Sequence, residues 1–421
     1  MNTSLLEKIL ENRNVAAAWK QVKSNKGSAG VDGITIEQFP DYFRPRWPRI
    51  KQALLKGYYI PSPVARVEIP KKTGGVRKLG IPTVLDRVIQ QAIAQVLNTI
   101  FDPGFSEASF GFRPRRSAHG AIRKIHEAVK SGYQYAVDVD IEKFFDNVDH
   151  DILMNKVSRK VEDKRVLKLI GKYLRAGVRE RDGQTSPSLI GTPQGGPLSP
   201  LLSNIMLHEL DHEMEGKHYW FARYADDFLV ITRNKAEGET ILAHITGFLK
   251  TKLKLTVNAA KSKVVPIDEC KFLGFTFRNK KITWTDESFR EFKYTVKRIT
   301  SRSWGVSMKA RLERLSRYVR GWMNYFGISQ YYRPIQDIDN WIRRRIRMCY
   351  WKMWRKCRTK VRNLVQLGLP IKLAIMNGIS SKSYWRPSKT PAVNAAMSNE
   401  WLEKQGVVNV KSLWCRAQGY A

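Results

Sequence analysis

The sequence predicts an α+β fold followed by an all-helical bundle, and three observations carry that prediction. Between residues 136 and 285, short apolar strand-like runs alternate with helical stretches, as in a sheet packed on helices. Two of those runs end in paired acids, Tyr135-Ala-Val-Asp-Val-Asp140 and Tyr224-Ala-Asp-Asp227. Past Ser288 the character changes, because residues 290–362 hold 21 Lys or Arg against 4 Asp or Glu and show little strand signal.

Taken in order, residues 1–60 are mostly helical in pattern, broken by the glycine-rich stretch Lys26-Gly-Ser-Ala-Gly-Val-Asp-Gly33. Residues 61–287 form the α+β region. It opens with a strand from Val64 to Ile69, a basic turn Lys71-Lys-Thr-Gly-Gly75, a second strand and then helices. In the first acidic strand, alternation puts Val137, Val139 and Ile141 on the core face and Asp138 and Asp140 opposite. Phe221-Ala-Arg and Phe228-Leu-Val-Ile flank the second acid pair, so that segment reads as a hairpin with acid at its turn. Residues 288–366 form the bundle. Met308, Leu312, Leu315, Val319, Trp322 and Phe326 make one helical stripe, and Ile335, Ile338, Ile342, Ile346, Cys349 and Met353 another. The stripes are core. The arginines between them, Arg343, Arg344, Arg345 and Arg347, are expected to face outward as a binding surface. From Pro370 to Ala421 the chain looks less regular, with Tyr384-Trp-Arg386, Trp401 and Trp414 among basic residues.

Composition narrows the function. A chain of 421 residues with 43% apolar content can bury the cores of several domains. Its formal charge of +36 exceeds solubility tuning and answers a polyanion, for which counterion release from phosphates dominates affinity. The four cysteines, Cys270, Cys349, Cys357 and Cys415, include no C-x-x-C pair. That excludes a zinc ribbon or a disulfide frame and fits a reducing cytoplasm. No apolar run reaches the ~18–20 residues that cross a bilayer, so no membrane partner is expected.

The acid pairs carry the chemistry. Carboxylates on rigid backbone suit Mg²⁺, and two-metal phosphoryl transfer needs several of them around one point. Asp140, Asp226 and Asp227 are therefore the candidate catalytic residues and metal ligands of a nucleotide polymerase with two Mg²⁺ ions. Asp138 competes with Asp140, which is preferred because it stands where the strand ends. Between the acids lies Gly191-Thr-Pro-Gln-Gly-Gly-Pro-Leu-Ser-Pro200, whose glycines admit a base or sugar and whose Gln194 offers a hydrogen bond. The turn from Lys71 to Arg77 either clamps a triphosphate or is an ordinary basic surface turn. His208-Glu-Leu-Asp-His212 matches the H-E-x-x-H zinc signature. With no third ligand evident, it is expected to be a polar helix face.

These motifs, in this order, resemble the group II intron reverse transcriptase and maturase family in its compact bacterial form. The resemblance runs from about Asn25 to Arg416. It covers Asp32-Gly33, Val67-Glu-Ile-Pro70, Arg77-Lys-Leu-Gly-Ile-Pro-Thr83, Ser109-Phe-Gly-Phe-Arg-Pro114 and Asp140-Ile-Glu-Lys-Phe-Phe-Asp146. It continues through the Gly191 loop, Tyr224-Ala-Asp-Asp227, Val257-Asn-Ala-Ala-Lys261 and Phe272-Leu-Gly-Phe275. It implies a right-hand polymerase: fingers and palm, with an antiparallel palm sheet, over residues 61–287 and a thumb or maturase bundle over 288–366. Residues 367–421 would then bind DNA.

The resemblance also implies roles. The backbone carbonyl of Ile141 joins Asp140, Asp226 and Asp227 around the metals. Lys71, Arg77, Gln194 and Lys261 hold the nucleotide, and Phe145 is the steric gate against a ribose 2′-hydroxyl. Phe272, Leu273 and Gly274 form the primer grip. Arg113, Arg320 and the Arg343–Arg347 group contact nucleic acid. The implied partners are group II intron RNA, an RNA template, a DNA primer or target DNA, and dNTPs. The stretch from Pro82 to Asn98 is a candidate homodimer interface. Larger members carry a Cys-rich nuclease domain whose cysteine pairs do not occur here, so second-strand cleavage is not expected. Three alternatives stand beside this one: a reverse transcriptase of a retron, diversity-generating or defence lineage, an RNA-dependent RNA polymerase, and a splicing maturase without polymerase activity.

Overall fold

The computed structural model describes residues 4–70, 74–180, 182–188, 190–192 and 195–420. The chain divides into two compact units, 1–266 and 267–421.

The first unit begins with three helices, α1 (Leu5–Ile9), α2 (Asn12–Ser24) and α3 (Phe39–Leu55). Ser4 starts α1 with a capping box, its hydroxyl accepting from the Glu7 N–H while Glu7 reaches back. Strands β1 (Val64–Pro70) and β2 (Val76–Ile81) then pair antiparallel, and Thr83 caps the long helix α4 (Val84–Phe101). Helix α4 is apolar almost all round. Val84, Val88, Ile89, Ala92, Ile93, Val96 and Leu97 are buried, and α2 packs along it. Within Pro82–Asn98, the stretch expected as a homodimer interface, the chain itself covers the apolar surface and leaves Gln91, Gln95 and Asn98 half-exposed.

Helix α5 (Ala118–Lys130) precedes β3 (Tyr135–Val139), and helices α6 (His150–Ser158) and α7 (Lys164–Leu174) lead to the short strands β4 (Val178–Arg179) and β5 (Thr185–Ser186). After α8 (Ser199–Gly216), β6 (Trp220–Tyr224) and β7 (Asp227–Thr232) form the acidic hairpin, and α9 (Lys235–Lys252) precedes β8 (Lys263–Pro266). Two four-stranded sheets result. One runs β2-β1-β4-β5, with β1 and β4 parallel; the other runs β6-β7-β3-β8 and is antiparallel throughout. In the second, β3 lies between β7 and β8, so its Val137 and Val139 are fully enclosed. That enclosure makes the end of β3 a rigid mount.

The second unit starts with a hairpin of β9 (Phe275–Arg278) and β10 (Lys281–Trp284). Helices α10 (Asp286–Ile299), α11 (Met308–Phe326) and α12 (Arg333–Met353) follow, the first two capped by Thr285 and Ser307. Both apolar stripes are interior at Leu312, Leu315, Val319, Trp322, Ile335, Ile338, Ile342, Ile346 and Cys349. Met353, the last residue of α12, is exposed. After α13 (Cys357–Gln366), the stretch from Pro370, expected to be irregular, is instead helical: α14 (Ile371–Gly378), α15 (Pro391–Ala396), α16 (Asn399–Lys404) and α17 (Val410–Gln418). These helices run only 6 to 9 residues, too short for a sustained apolar stripe, yet Thr390, Ser398 and Asn409 cap three of them.

The arginine surface expected on α12 needs correction. Arg343 is buried and pairs with Asp339 at 2.9 Å and Glu403 at 3.1 Å. Arg347 is buried too, its Nε donating to the Met397 carbonyl at 2.9 Å and Nη2 to Asn399 at 3.0 Å. Both fasten the C-terminal helices to α12. Arg344 and Arg345 are half-buried, bonded to the Trp385 carbonyl and to Thr300. Arg113, in the other unit, is enclosed among Asp102 and the carbonyls of Ser106 and Ser109. A guanidinium deep in protein persists only with such partners, and at Arg113, Arg343 and Arg347 those partners keep it from phosphates. Arg320 alone of the group stands exposed on its helix.

Candidate active site

The site is built by strand register. Val139 on β3 faces Phe228 on β7, so the next step sets Asp140 opposite Asp227. On the other side Tyr224 pairs with Asp227, which leaves Ala225 and Asp226 as a two-residue turn. Ala225 holds φ +60, a left-handed conformation that a residue with a Cβ adopts only when its surroundings enforce it.

Arg223 supplies the enforcement. It is fully buried on β6, and its Nε and Nη2 donate to both carboxylate oxygens of Asp211 on α8. Its Nη1 donates to the Ala225 carbonyl at 2.8 Å and to Asn204 Oδ1 at 3.0 Å. Asn204 in turn donates to the Gly111 carbonyl at 2.9 Å. Gly111 lies so close to the turn that a Cβ there would meet the Ala225 nitrogen at 2.3 Å. The Ser109-Phe-Gly-Phe motif and the middle of α8 thus grip the acidic turn from below.

Asp140 is held from its other flank. Its backbone N–H donates to Ser262 Oγ at 3.0 Å, and its carbonyl accepts from Asn258 at 2.8 Å. Lys261 Nζ lies 3.4 Å from Asp140 Oδ2. The Gly191 loop is laced to the segment after Asp140: Thr192 N–H donates to the Phe145 carbonyl at 2.7 Å and Gly191 N–H to the Val148 carbonyl at 2.8 Å. Gly191 needs its φ of +86, and a Cβ would strike the carbonyls of Phe145 and Asp146 at 2.8 Å.

These parts border one cleft of about 1850 Å³. Of the residues singled out from sequence, Arg77, Asp140, Ile141, Phe145, Asp226 and Lys261 line it. Phe145 is half-buried and packs edge-on against Phe144 at 5.2 Å. Asp227 is next to the lining and touches solvent, yet protein crowds its carboxyl. Burial first, then Asp138, Asp226 and Asp140, push its pKa up to about 7. Asp226 is raised by burial and by Asp140, against the lowering effect of its own backbone N–H and of Arg77. Asp138 is raised as well, by burial and Asp140, with Lys263 opposing. Clustered, partly desolvated carboxylates of this kind call for a cation. Among the described residues no three His, Cys, Asp or Glu side chains already close into a metal cage. The donor set fits Mg²⁺ through its chemistry: hard carboxylate oxygens beside the backbone of Ile141, with Lys261 and Arg77 as the cations near them.

Lys71 and Gln194 lie outside the described residues. Phe272, Leu273 and Gly274 belong to the second unit. There Phe272 and Phe275 exchange backbone hydrogen bonds across Leu273 and Gly274, at φ +50 and +83. Tyr325 donates to the Leu273 carbonyl at 2.9 Å, so the Gly321-Trp-Met-Asn-Tyr-Phe motif braces that turn. The H-E-x-x-H match dissolves into packing. Asp211 is the buried partner of Arg223, and Glu209 pairs with Lys156 and Arg159. His208 and His212 meet ring to ring, their Nε2 atoms 3.1 Å apart. Sequence reasoning missed Arg223, Asp211, Asn204 and Ser262. One signal was present: an arginine inside an apolar strand run requires an interior acid.

Residues 69–277 match the family model described as reverse transcriptase (RNA-dependent DNA polymerase), and residues 289–368 the group II intron maturase-specific domain. The chain belongs to the group II intron reverse transcriptase and maturase family. Protein YkfC of Escherichia coli K12 is 32% identical over 350 residues, 73% of this chain and 91% of YkfC. The group II intron-encoded protein LtrA of Lactococcus lactis is 42% identical over 195 residues, 46% of this chain but 32% of LtrA. The COX1/OXI3 intron 2 protein of Saccharomyces cerevisiae is 28% identical over 70% of this chain and 41% of its own length. This reverse transcriptase thus spans most of YkfC and less than half of the other two. No helix among its described residues is long and apolar enough to cross a membrane.

Proposed function

We propose that this reverse transcriptase copies group II intron RNA into DNA at the Asp140–Asp226–Asp227 cleft, assists splicing of that RNA, and supports its return to DNA. The observation that carries the reading is the β3–β7 register, which brings acids far apart in sequence to one point beside Arg77, Phe145 and Lys261. Asp140, Asp226, Asp227 and the Ile141 carbonyl would hold two Mg²⁺ ions, which supply activation of the primer 3′-hydroxyl and neutralisation of the departing pyrophosphate. Arg77 and Lys261 bring positive charge to the triphosphate. Phe145 fills the space that a ribose 2′-hydroxyl would need. The rigid sheet and the Arg223 brace keep the acids in place without reorganisation during the reaction. The intron partner rests on the maturase-specific match and on the intron-encoded relatives.

Primer extension on a long RNA template with Mg²⁺ and dNTPs tests the polymerase reading. Wild type is expected to make full-length cDNA, and Asp226→Ala to lose at least about a hundred-fold in rate with RNA affinity intact. Equal failure of both proteins, with RNA still bound, would leave a splicing maturase without polymerisation.

A further inference from the structure

The helical unit contains a second concavity, of about 360 Å³, lined by Lys297, Ser301, Arg302, Arg345, Met348 and Trp385. None of these is an acid. Lys297, near the end of α10, and Arg302, on the loop beyond it, are exposed, while Met348 is buried and Trp385 is half-exposed. Arg345 is fixed in place by neutral oxygens, donating to Thr300 Oγ1 and to the carbonyls of Lys297 and Thr300. Its charge is therefore not cancelled by those bonds. The indole of Trp385 is also fixed: the Arg344 guanidinium lies 3.8 Å from the ring centroid and donates to the Trp385 carbonyl. Nearby Tyr384 has Arg302, Lys352 and Lys360 around its ring at 5.8, 5.1 and 5.8 Å.

Three cations around a small hollow attract an anion, and an immobilised aromatic wall adds a demand for something flat. The volume lies at the low end of the ~300–1,000 Å³ typical of small-ligand sites, so a helix of nucleic acid does not enter. Single-stranded RNA offers both features in one unit, a phosphate and an unstacked base that aromatic side chains bind well. We propose that this pocket captures one extruded nucleotide of single-stranded RNA, with the base against Trp385 and its phosphate between Lys297 and Arg302. The inference rests on the reading of this unit as RNA-binding, and it is independent of polymerisation.

The test uses the full chain and a 15-nucleotide oligouridylate carrying one central 2-aminopurine, followed by fluorescence titration. Quenching of the probe on binding is expected for wild type and equally for Asp226→Ala, which separates this site from the polymerase cleft. Trp385→Ala should abolish the quenching and weaken affinity about ten-fold, as loss of a base–aromatic stack does. Trp385→Phe should restore most of both. Because Trp385→Ala can disturb packing, the exposed-residue variant Lys297→Ala/Arg302→Ala provides a second readout: weaker binding with a shallower salt dependence and an unchanged melting temperature. Full quenching in Trp385→Ala would overturn the proposal, and so would an unaltered salt dependence in the double variant. Equal Trp385-dependent binding of the matched DNA strand would also overturn it, as would blunt RNA duplex competing as well as the single strand.

Discussion

At the scale of single residues, the site is a contest between charge and burial. Phe145 brings a ring to the wall of the cleft, and its carbonyl, bonded to the Thr192 N–H, holds its backbone in place. Phe145→Ala should raise ribonucleotide incorporation relative to deoxyribonucleotide by ~10- to 200-fold, the range that pocket volume alone discriminates. Single-nucleotide incorporation assays measure it, and an unchanged preference would remove the steric-gate role. His208 gives a pH signature away from the chemistry. Burial, then the neighbouring His212 and Lys160 charges, push its pKa from 6.5 down to about 4. Below 6.5 the unfolded chain takes up a proton that the folded chain refuses. The stability from this group is therefore full above pH 6.5 and is lost as pH falls toward 4. His208→Gln should flatten the fall in melting temperature across that window; a curve parallel to wild type would contradict the assignment.

At the scale of elements, the acidic hairpin was legible because two short apolar runs flank a polar, acidic turn at Tyr224-Ala-Asp-Asp227. The first acidic strand was legible through its period-two alternation, down to which face Val137 and Val139 occupy. What supports the hairpin was not legible, because Arg223, Asp211, Asn204 and Gly111 are scattered along the chain and meet only through tertiary packing. This brace separates stability from position. Arg223→Met strands Asp211 in the interior and should cost about 3–5 kcal/mol. The double variant Arg223→Met/Asp211→Leu replaces the ion pair with apolar volume and should regain most of that stability. It should not regain primer extension, since nothing then holds the Ala225 carbonyl. Urea denaturation alongside extension rates distinguishes the two, and recovery of both would show that the guanidinium acts on folding alone.

At the scale of the whole molecule, a formal charge of +36 overstates what RNA can meet. Arg113, Arg223, Arg311, Arg343 and Arg347 are interior, while Arg320 is exposed. Composition reveals the polyanion partner, but a triplet such as Arg343-Arg-Arg345 looks the same in sequence whether its partners are phosphates or a distant Glu403. Arg320→Ala should reduce the slope of log affinity against log salt by about one with the melt unchanged. Arg343→Ala should lower the melting temperature and leave the slope alone. Filter binding across a salt series with parallel melts checks both, and a smaller slope for Arg343→Ala would return that residue to the RNA surface. The interior arginines of α12 also constrain how this protein can be shortened. Sequence pattern invites a cut after residue 366, where the long helices finish. Such a cut would remove Met397, Asn399 and Glu403, strip Arg347 of its partners, leave Arg343 with Asp339 alone, and open the apolar core beside them to water. A minimal working version must therefore keep its last short helices, whatever else they contact.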